Sequence, residues 1–431
     1  PVPLDLPGPL GANLRRADAM KTRVLFFLIP EKGHINPTIG PAQALIERGA
    51  EVTVFADADI SPQLQAAGID RFVGPRGRAP ADAHRGASFA RQVRDPSWLR
   101  EWVRSLLLET VELSIPRMRE LIAHLRPDVV ALDPMLYAAA IASEREGVPW
   151  AAISNSLNPA LPEDFDSELL RTVRWLAPER QASFERHGMH PVFRGCDILS
   201  PHLTVAFTTE ALVGAVPDVA LVGPSLPRSR RGDETPFAWE RLDPALPVVY
   251  MSLGSQIHHQ PELFRLAIAT VRSRPVQLIL CAPDLADELG TLPSNVLACA
   301  YLPQLELLRR TSVFITHGGA NSLMEAIAFG VPPIVLPLCN DQVHQGHFVT
   351  RAGIGRTLDA DTASVEALGS AIDALLADGP ERRRMAEVSR GYQRDGAAET
   401  AERLLSLVTS PRASGRPSRA PRDRPRTRCP P

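Results

Sequence analysis

The 431-residue chain is 44% hydrophobic and 22% charged, enough apolar material for a large core and, by its length, for two domains. Its formal charge of −2 is unevenly spread, since seven arginines against Asp423 give the last twenty-one residues +6 and leave −8 for the rest. Neither nucleic acid nor stable membrane insertion is expected: no run of about 18 apolar residues is present, and Cys196, Cys281, Cys299, Cys339 and Cys429 lack the CxxC or Cys/His spacing of a metal site, which fits a reducing cytoplasm.

Residues 1–20, rich in Pro and Gly ahead of Met20, read as a disordered leader. Lysine occurs at Lys21 and Lys32 alone while arginine is abundant, the usage of a GC-rich bacterial genome. The continuous apolar run 22–29 predicts a buried parallel strand. A loop from Pro30 to Pro37, a helix from Ile39 to Arg48 closed by Gly49, and a strand from Glu51 to Ala56 complete the first unit of a doubly wound α/β domain over 21–225.

Further strands are expected at Val129–Leu132, Trp150–Ile153 and Leu203–Phe207. Before them a long helical stretch from Trp98 to Leu125 carries Trp98, Trp102, Leu106, Leu107, Leu113 and Met118, which either pack in the core or line an apolar acceptor pocket. Residues 226–247, rich in Pro, Arg and Asp without periodicity, suit a linker. The pattern then restarts over 248–380 with strands at Val248–Leu253, Val276–Cys281, Val296–Ala300, Val313–Thr316 and Pro333–Pro337. Residues 381–408 read as helices broken near Gly391 and Gly396 with little core of their own, so they must dock elsewhere, and 409–431 as a disordered basic tail.

Ligands of doubly wound sheets bind beyond the carboxyl ends of the strands. After the strand Val313–Thr316 come His317, Gly318, Gly319, Ala320, Asn321 and Ser322 at a helix start, where free N–H groups and two glycines suit a diphosphate. His317 and Ser322 can add donors, and Glu325, one turn on, can accept two ribose hydroxyls. Asp341 and Gln342, after the next strand, offer the acceptors and donors that a ring of vicinal hydroxyls needs.

This run, HGGANSLMEAIAFGVPPIVLPLCNDQ, resembles the signature of the family 1 glycosyltransferases, the UDP-glycosyltransferase and macrolide glycosyltransferase group. The resemblance spans about residues 20 to 408. It implies the GT-B fold, in which two facing doubly wound Rossmann-like domains bind acceptor and nucleotide sugar and C-terminal helices cross back to the first domain. It also implies that Tyr301 and Gln304 of YLPQ hold the uracil, Tyr301 standing where the family often has Trp, and that Ser255 of SLGS helps hold the diphosphate together with Gly319 and Asn321.

Transfer to a hydroxyl needs a base, and histidine is the usual one. Gly33-His34-Ile35-Asn36-Pro37 is similar to the family's GHxxP element, which makes His34 the base, and Asp133, closing its strand, the acidic partner that orients it. The expected activity is inverting transfer of a hexose, glucose foremost, from a UDP-sugar to a hydroxyl of a small lipophilic acceptor, without a metal or other cofactor. Acceptor contacts are expected from the stretch between Gly68 and Pro96, the long helix and the Asn155 to His202 region. A non-catalytic GT-B auxiliary protein binding a nucleotide or partner, and a TDP-sugar-dependent transferase, stand as alternatives. His344 and His347 share a helix at (i, i+3), but no third ligand accompanies them.

Overall fold

The computed structural model describes residues 21–79 and 86–409; the leader expected from the sequence and, but for Thr409, the basic tail lie outside them. Apolar runs become strands buried on both faces. In the first domain these are β1 Arg23–Phe27, β2 Glu51–Phe55, β3 Phe72–Val73, β4 Val129–Leu132, β5 Trp150–Ser154, a small hairpin of β6 Phe193–Arg194 and β7 Asp197–Ile198, then β8 Leu203–Ala206 and β9 Ala220–Leu221. Apart from the hairpin they form one parallel sheet in the order β3-β2-β1-β4-β5-β8-β9. The order reverses between β1 and β4, whose ends pair Phe27 with Leu132, so the segments that leave them open onto one crevice.

The second domain repeats the device with β10 Val248–Ser252, β11 Gln277–Cys281, β12 Val296–Cys299, β13 Thr311–Thr316, β14 Pro333–Val335 and β15 Arg356–Thr357, parallel in the order β12-β11-β10-β13-β14-β15. Here the switch lies between β10 and β13, where Ser252 pairs with Thr316. The short edge strands β3, β9 and β15 carry too few residues to leave an apolar run in the sequence.

The segment expected as a loop up to Pro37 is instead helix. It runs Lys32–Glu47 with Pro37 and Pro41 inside it. An internal proline removes the N–H that would satisfy the carbonyl four residues earlier. For Pro41 that carbonyl belongs to Pro37, and Ser225 Oγ donates to it instead at 2.5 Å. A Cβ on Gly40 would lie 2.3 Å from Leu226 O, so only glycine lets this helix meet the start of the linker. The long helical stretch is likewise divided, into Pro96–Arg104, a π-helical turn Ser105–Glu109 and Val111–Leu125.

The last helices, Pro380–Gly391 and Gly396–Thr409, explain their thin sequence core by where they sit. The first lies on the helix Ala320–Ala328 of the second domain, and the second on Lys32–Glu47 of the first. Met385, Val388, Tyr392, Ala401 and Leu404 enter a buried cluster that also holds Ile39, Leu45, Leu323 and Phe348, from both domains. Tyr392 Oη and Thr208 Oγ1 bond at 2.8 Å, and Gly396 N–H donates to Pro224 O at 3.1 Å.

Candidate active site

Between the domains lies a cleft of ≈660 Å³ lined from both of them. On the first-domain wall His34 sits in the opening turn of its helix and Asp133 just past β4. Their proximity follows from the switch point, and His34 Nδ1 and Asp133 Oδ2 lie 2.5 Å apart. Asp133 divides its oxygens: Oδ1 accepts the Met135 N–H at 3.0 Å and caps the turn after β4, while Oδ2 faces the imidazole.

Burial alone would lower the basicity of His34, but the charge and hydrogen bond of Asp133, with Glu31 and Asp341 behind them, push its pKa up to about 9. In the neutral ring, with Nδ1–H on Asp133, Nε2 is the nitrogen left to take a proton; Glu31 Oε2 is 3.9 Å from it.

Asn155, which the sequence does not single out beyond opening an acceptor region, joins this pair. Its Nδ2 donates to Asp133 Oδ2 at 2.8 Å and lies 2.6 Å from His34 Nδ1. The turn after β5 that presents it is braced by buried Asp197, which accepts from Ser154 Oγ and, at 2.9 Å, from Asn158 Nδ2. Burial foremost, with Asp133 and Asp341 contributing, raises the Asp197 pKa to about 7. An Asn at the end of a third strand has no spacing signature, so only the strand order could have revealed it.

On the second-domain wall the loops after β10 and β13 emerge side by side. Gly318 and Gly254 adopt φ of +88° and +78°, and a Cβ on Gly254 or Gly319 would come within 2.7 Å and 2.6 Å of the His317 ring, so both glycines make room for that imidazole. Burial lowers the His317 pKa to about 4 against the pull of Asp341 and of a hydrogen bond to the Ser252 backbone, which keeps the ring neutral. The helix Ala320–Ala328 begins at Gly319 without a side-chain cap, leaving its first N–H groups toward the cleft. Ser255, His317, Gly319, Asn321 and Ser322 all line it.

Tyr301, Gln304, Asp341 and Gln342 also line the cleft. Gln304 is already engaged, accepting from Tyr250 Oη at 3.1 Å and donating to Ser322 Oγ at 3.2 Å and Glu325 Oε2 at 2.6 Å. Gln342 Oε1 accepts the N–H groups of Leu338 and Cys339 at 2.8 and 3.1 Å, folding the turn that presents Asp341. Glu325 departs from expectation: it is 2% exposed and stands behind the cleft wall rather than in it.

The acceptor side is partly redrawn. Trp102 and Leu106 line the cleft with Ile60, Met135, Leu169 and Cys196, whereas Leu107 and Met118 are core and Leu113 is 81% exposed. None of the described residues between Gly68 and Pro96 lines it. Phe89 packs edge-on against Trp98 and Trp102, and Ala90 and Val93 cluster with Ile257 of the second domain, so that stretch bridges the domains. His344, fully buried, meets Ser167 Oγ at 2.9 Å across the same interface. Among the described residues no cluster of three or more His, Cys, Asp or Glu could hold a metal, and no helix is long and apolar enough to cross a membrane.

The profile of the UDP-glucoronosyl and UDP-glucosyl transferase family matches residues 237–393. The NDP-glycosyltransferase YjiC of Bacillus subtilis (strain 168) is 26% identical over 396 residues, covering 88% of this chain and 96% of its own. The demethyllactenocin mycarosyltransferase of Streptomyces fradiae is 27% identical over 458 residues, covering 96% and 93%. Among solved structures, the spinosyn rhamnosyltransferase SpnG complexed with thymidine diphosphate superposes with a TM-score of 0.69 at 20% identity, over 90% of this chain and 100% of its own.

Proposed function

The chain belongs to the family 1 glycosyltransferases of GT-B fold, and from that premise we propose that it is an inverting hexosyltransferase. The donor is a UDP-sugar, glucose being the hexose that Asp341 and Gln342 suit, and the acceptor is a hydroxyl of a lipophilic natural product. The observation that carries the transferase reading is the His34–Asp133 pair on the wall facing the diphosphate loops. The demethyllactenocin mycarosyltransferase of Streptomyces fradiae and the apolar lining by Trp102, Leu106, Met135 and Leu169 support the acceptor class. A TDP-sugar donor is the second reading, favoured by the thymidine diphosphate held in SpnG.

His34 Nε2 removes the acceptor's hydroxyl proton, and Asp133 stabilises the imidazolium that results. The alkoxide oxygen attacks the anomeric carbon from the face opposite the diphosphate; the new C–O bond forms as the bond to the phosphate oxygen breaks, and the configuration inverts. The leaving group carries off the electron pair. Its growing charge meets His317, Ser322 and the open N–H groups of the helix Ala320–Ala328, a preorganised set of donors that needs no divalent ion.

The test is product formation from UDP-glucose and an acceptor panel, read by mass spectrometry on EDTA-treated protein. Wild type turns over, and His34→Ala loses roughly 10²–10⁴-fold in kcat while still binding UDP. Near-normal turnover by the variant would place the base elsewhere, and a wild type revived only by Mg²⁺ would overturn the account of the leaving group.

A further inference from the structure

Glu325 stands where the sequence expects a ribose ligand, yet both oxygens of its carboxylate are already engaged. Arg231 Nη1 donates to Oε1 at 2.8 Å, Asn321 Nδ2 to the same oxygen at 2.9 Å, and Gln304 Nε2 to Oε2 at 2.6 Å. Arg231 comes from the linker. Its Nε donates to Asp233 Oδ1 at 2.7 Å, and Asp233 Oδ2 takes the Tyr301 hydroxyl at 2.6 Å. The side chains of Arg231, Asp233 and Glu325 are only 6%, 3% and 3% exposed.

The linker is held in this position. Arg231 N–H donates to Glu234 Oε1 at 2.5 Å, and Gly232, at φ +86°, packs so tightly that a Cβ would lie 2.1 Å from Gln63 O. Arg231, Gln304 and Asn321 line the cleft, while Glu325 and Asp233 do not.

We propose that Arg231 withdraws Glu325 from nucleotide recognition, so that the donor site does not discriminate ribose from 2′-deoxyribose in the nucleoside diphosphate. The inference rests on the nucleotide-sugar reading above and deepens it. A bare carboxylate accepting vicinal hydroxyls would make a ribonucleotide strongly preferred, because a 2′-deoxy ligand would leave a buried charged oxygen unpaired. In this protein a ribose could take Glu325 Oε1 only by expelling Arg231, which would strand a buried guanidinium against Asp233 alone, and Oε2, held by Gln304, stands behind the cleft wall. With the guanidinium committed to Glu325 and Asp233, the ribose meets instead neutral amide groups, among them Asn321 Oδ1, which is buried without a partner among the described residues. Thymidine and uridine diphosphate sugars are then both admitted.

Isothermal titration of the full chain with UDP and with dUDP tests this. Wild type is expected to bind the two within about fivefold of each other, since no charged hydrogen bond, worth roughly tenfold or more, is lost with the 2′-hydroxyl. A larger preference for UDP overturns the proposal. Arg231→Leu should free the carboxylate and raise the UDP preference at least about fivefold; an unchanged ratio in a variant with a cooperative melt overturns it as well. Should that variant fail to fold, the wild-type ratio decides. Binding of neither nucleotide by wild type overturns the donor reading itself, a result distinct from a strong preference for UDP.

Discussion

His34 and His317 face the same cleft from opposite domains, each just beyond a central strand at a switch point, and burial lowers the basicity of both. Their outcomes diverge. His34 has Asp133 at 2.5 Å and rises to about 9, whereas His317, cradled by glycines and the Thr316 hydroxyl with no carboxylate in hydrogen-bond contact, falls to about 4. A buried imidazole with an acid at contact is set to accept and stabilise a proton; one without stays a neutral donor suited to an oxyanion.

The pair can be broken most severely at its acid. Asp133→Asn is expected to cut kcat by on the order of 10²–10⁴-fold, because the imidazolium loses its counter-charge. The pH profile separates this from simple misfolding. The base proposed, His34, works only when neutral, so wild-type kcat/KM should rise with pH up to a limb near 9; in Asp133→Asn burial acts unopposed by that carboxylate and the limb should move to lower pH. A limb unmoved near 9 would mean that another group sets it. The stability linkage has the opposite sense: protonated His34 stabilises the fold fully below its ordinary value of 6.5, and that contribution is lost as pH climbs through about 9.

Breaking the other member should cost less and alter a different quantity. His317→Ala removes one neutral hydrogen-bond donor, so UDP affinity is expected to fall roughly fivefold to tenfold, with the limb near 9 retained. A shift of that limb would show that the two histidines titrate together. For stability, His317 contributes above its ordinary 6.5, and the contribution fades as pH falls through about 4.

The smallest effect sharpens the comparison by leaving both rings untouched. Ser225→Ala leaves the Pro37 carbonyl, on the helix that carries His34, without its donor, at a cost of about 1–3 kcal/mol in denaturant unfolding. Transfer by the folded variant should stay near wild type; a kcat loss as large as that of Asp133→Asn would show that this contact positions His34 rather than only stabilising its helix.

Legibility in the sequence followed the length of the physical signal. The strands β1, β4, β5, β10 and β13 are continuous apolar runs because parallel strands are buried on both faces, and they stood out within a residue or two. The edge strands β3, β9 and β15, of two residues each, carry no such run. The opening turns of the helix Lys32–Glu47 were hidden because proline normally ends a helix, and the device that tolerates Pro41 is a serine in a distant segment. The long helix looks like one piece in the sequence because its apolar periodicity passes through the π turn.

Of the proposed site, the loop that holds His317, the glycines, Asn321 and Ser322 is legible in the chain because these residues are near neighbours there, and the pairing of His34 with Asp133 is implied by resemblance alone. The tertiary structure decided what depends on contacts between distant segments. Strand order placed Asn155 beside His34 and Asp133, and opposite environments moved the basicities of two buried histidines apart. The linker filled Glu325 with Arg231, 94 positions away in the chain. A carboxylate's residue type names what it can bind, but only its neighbours in space decide whether that capacity is still free.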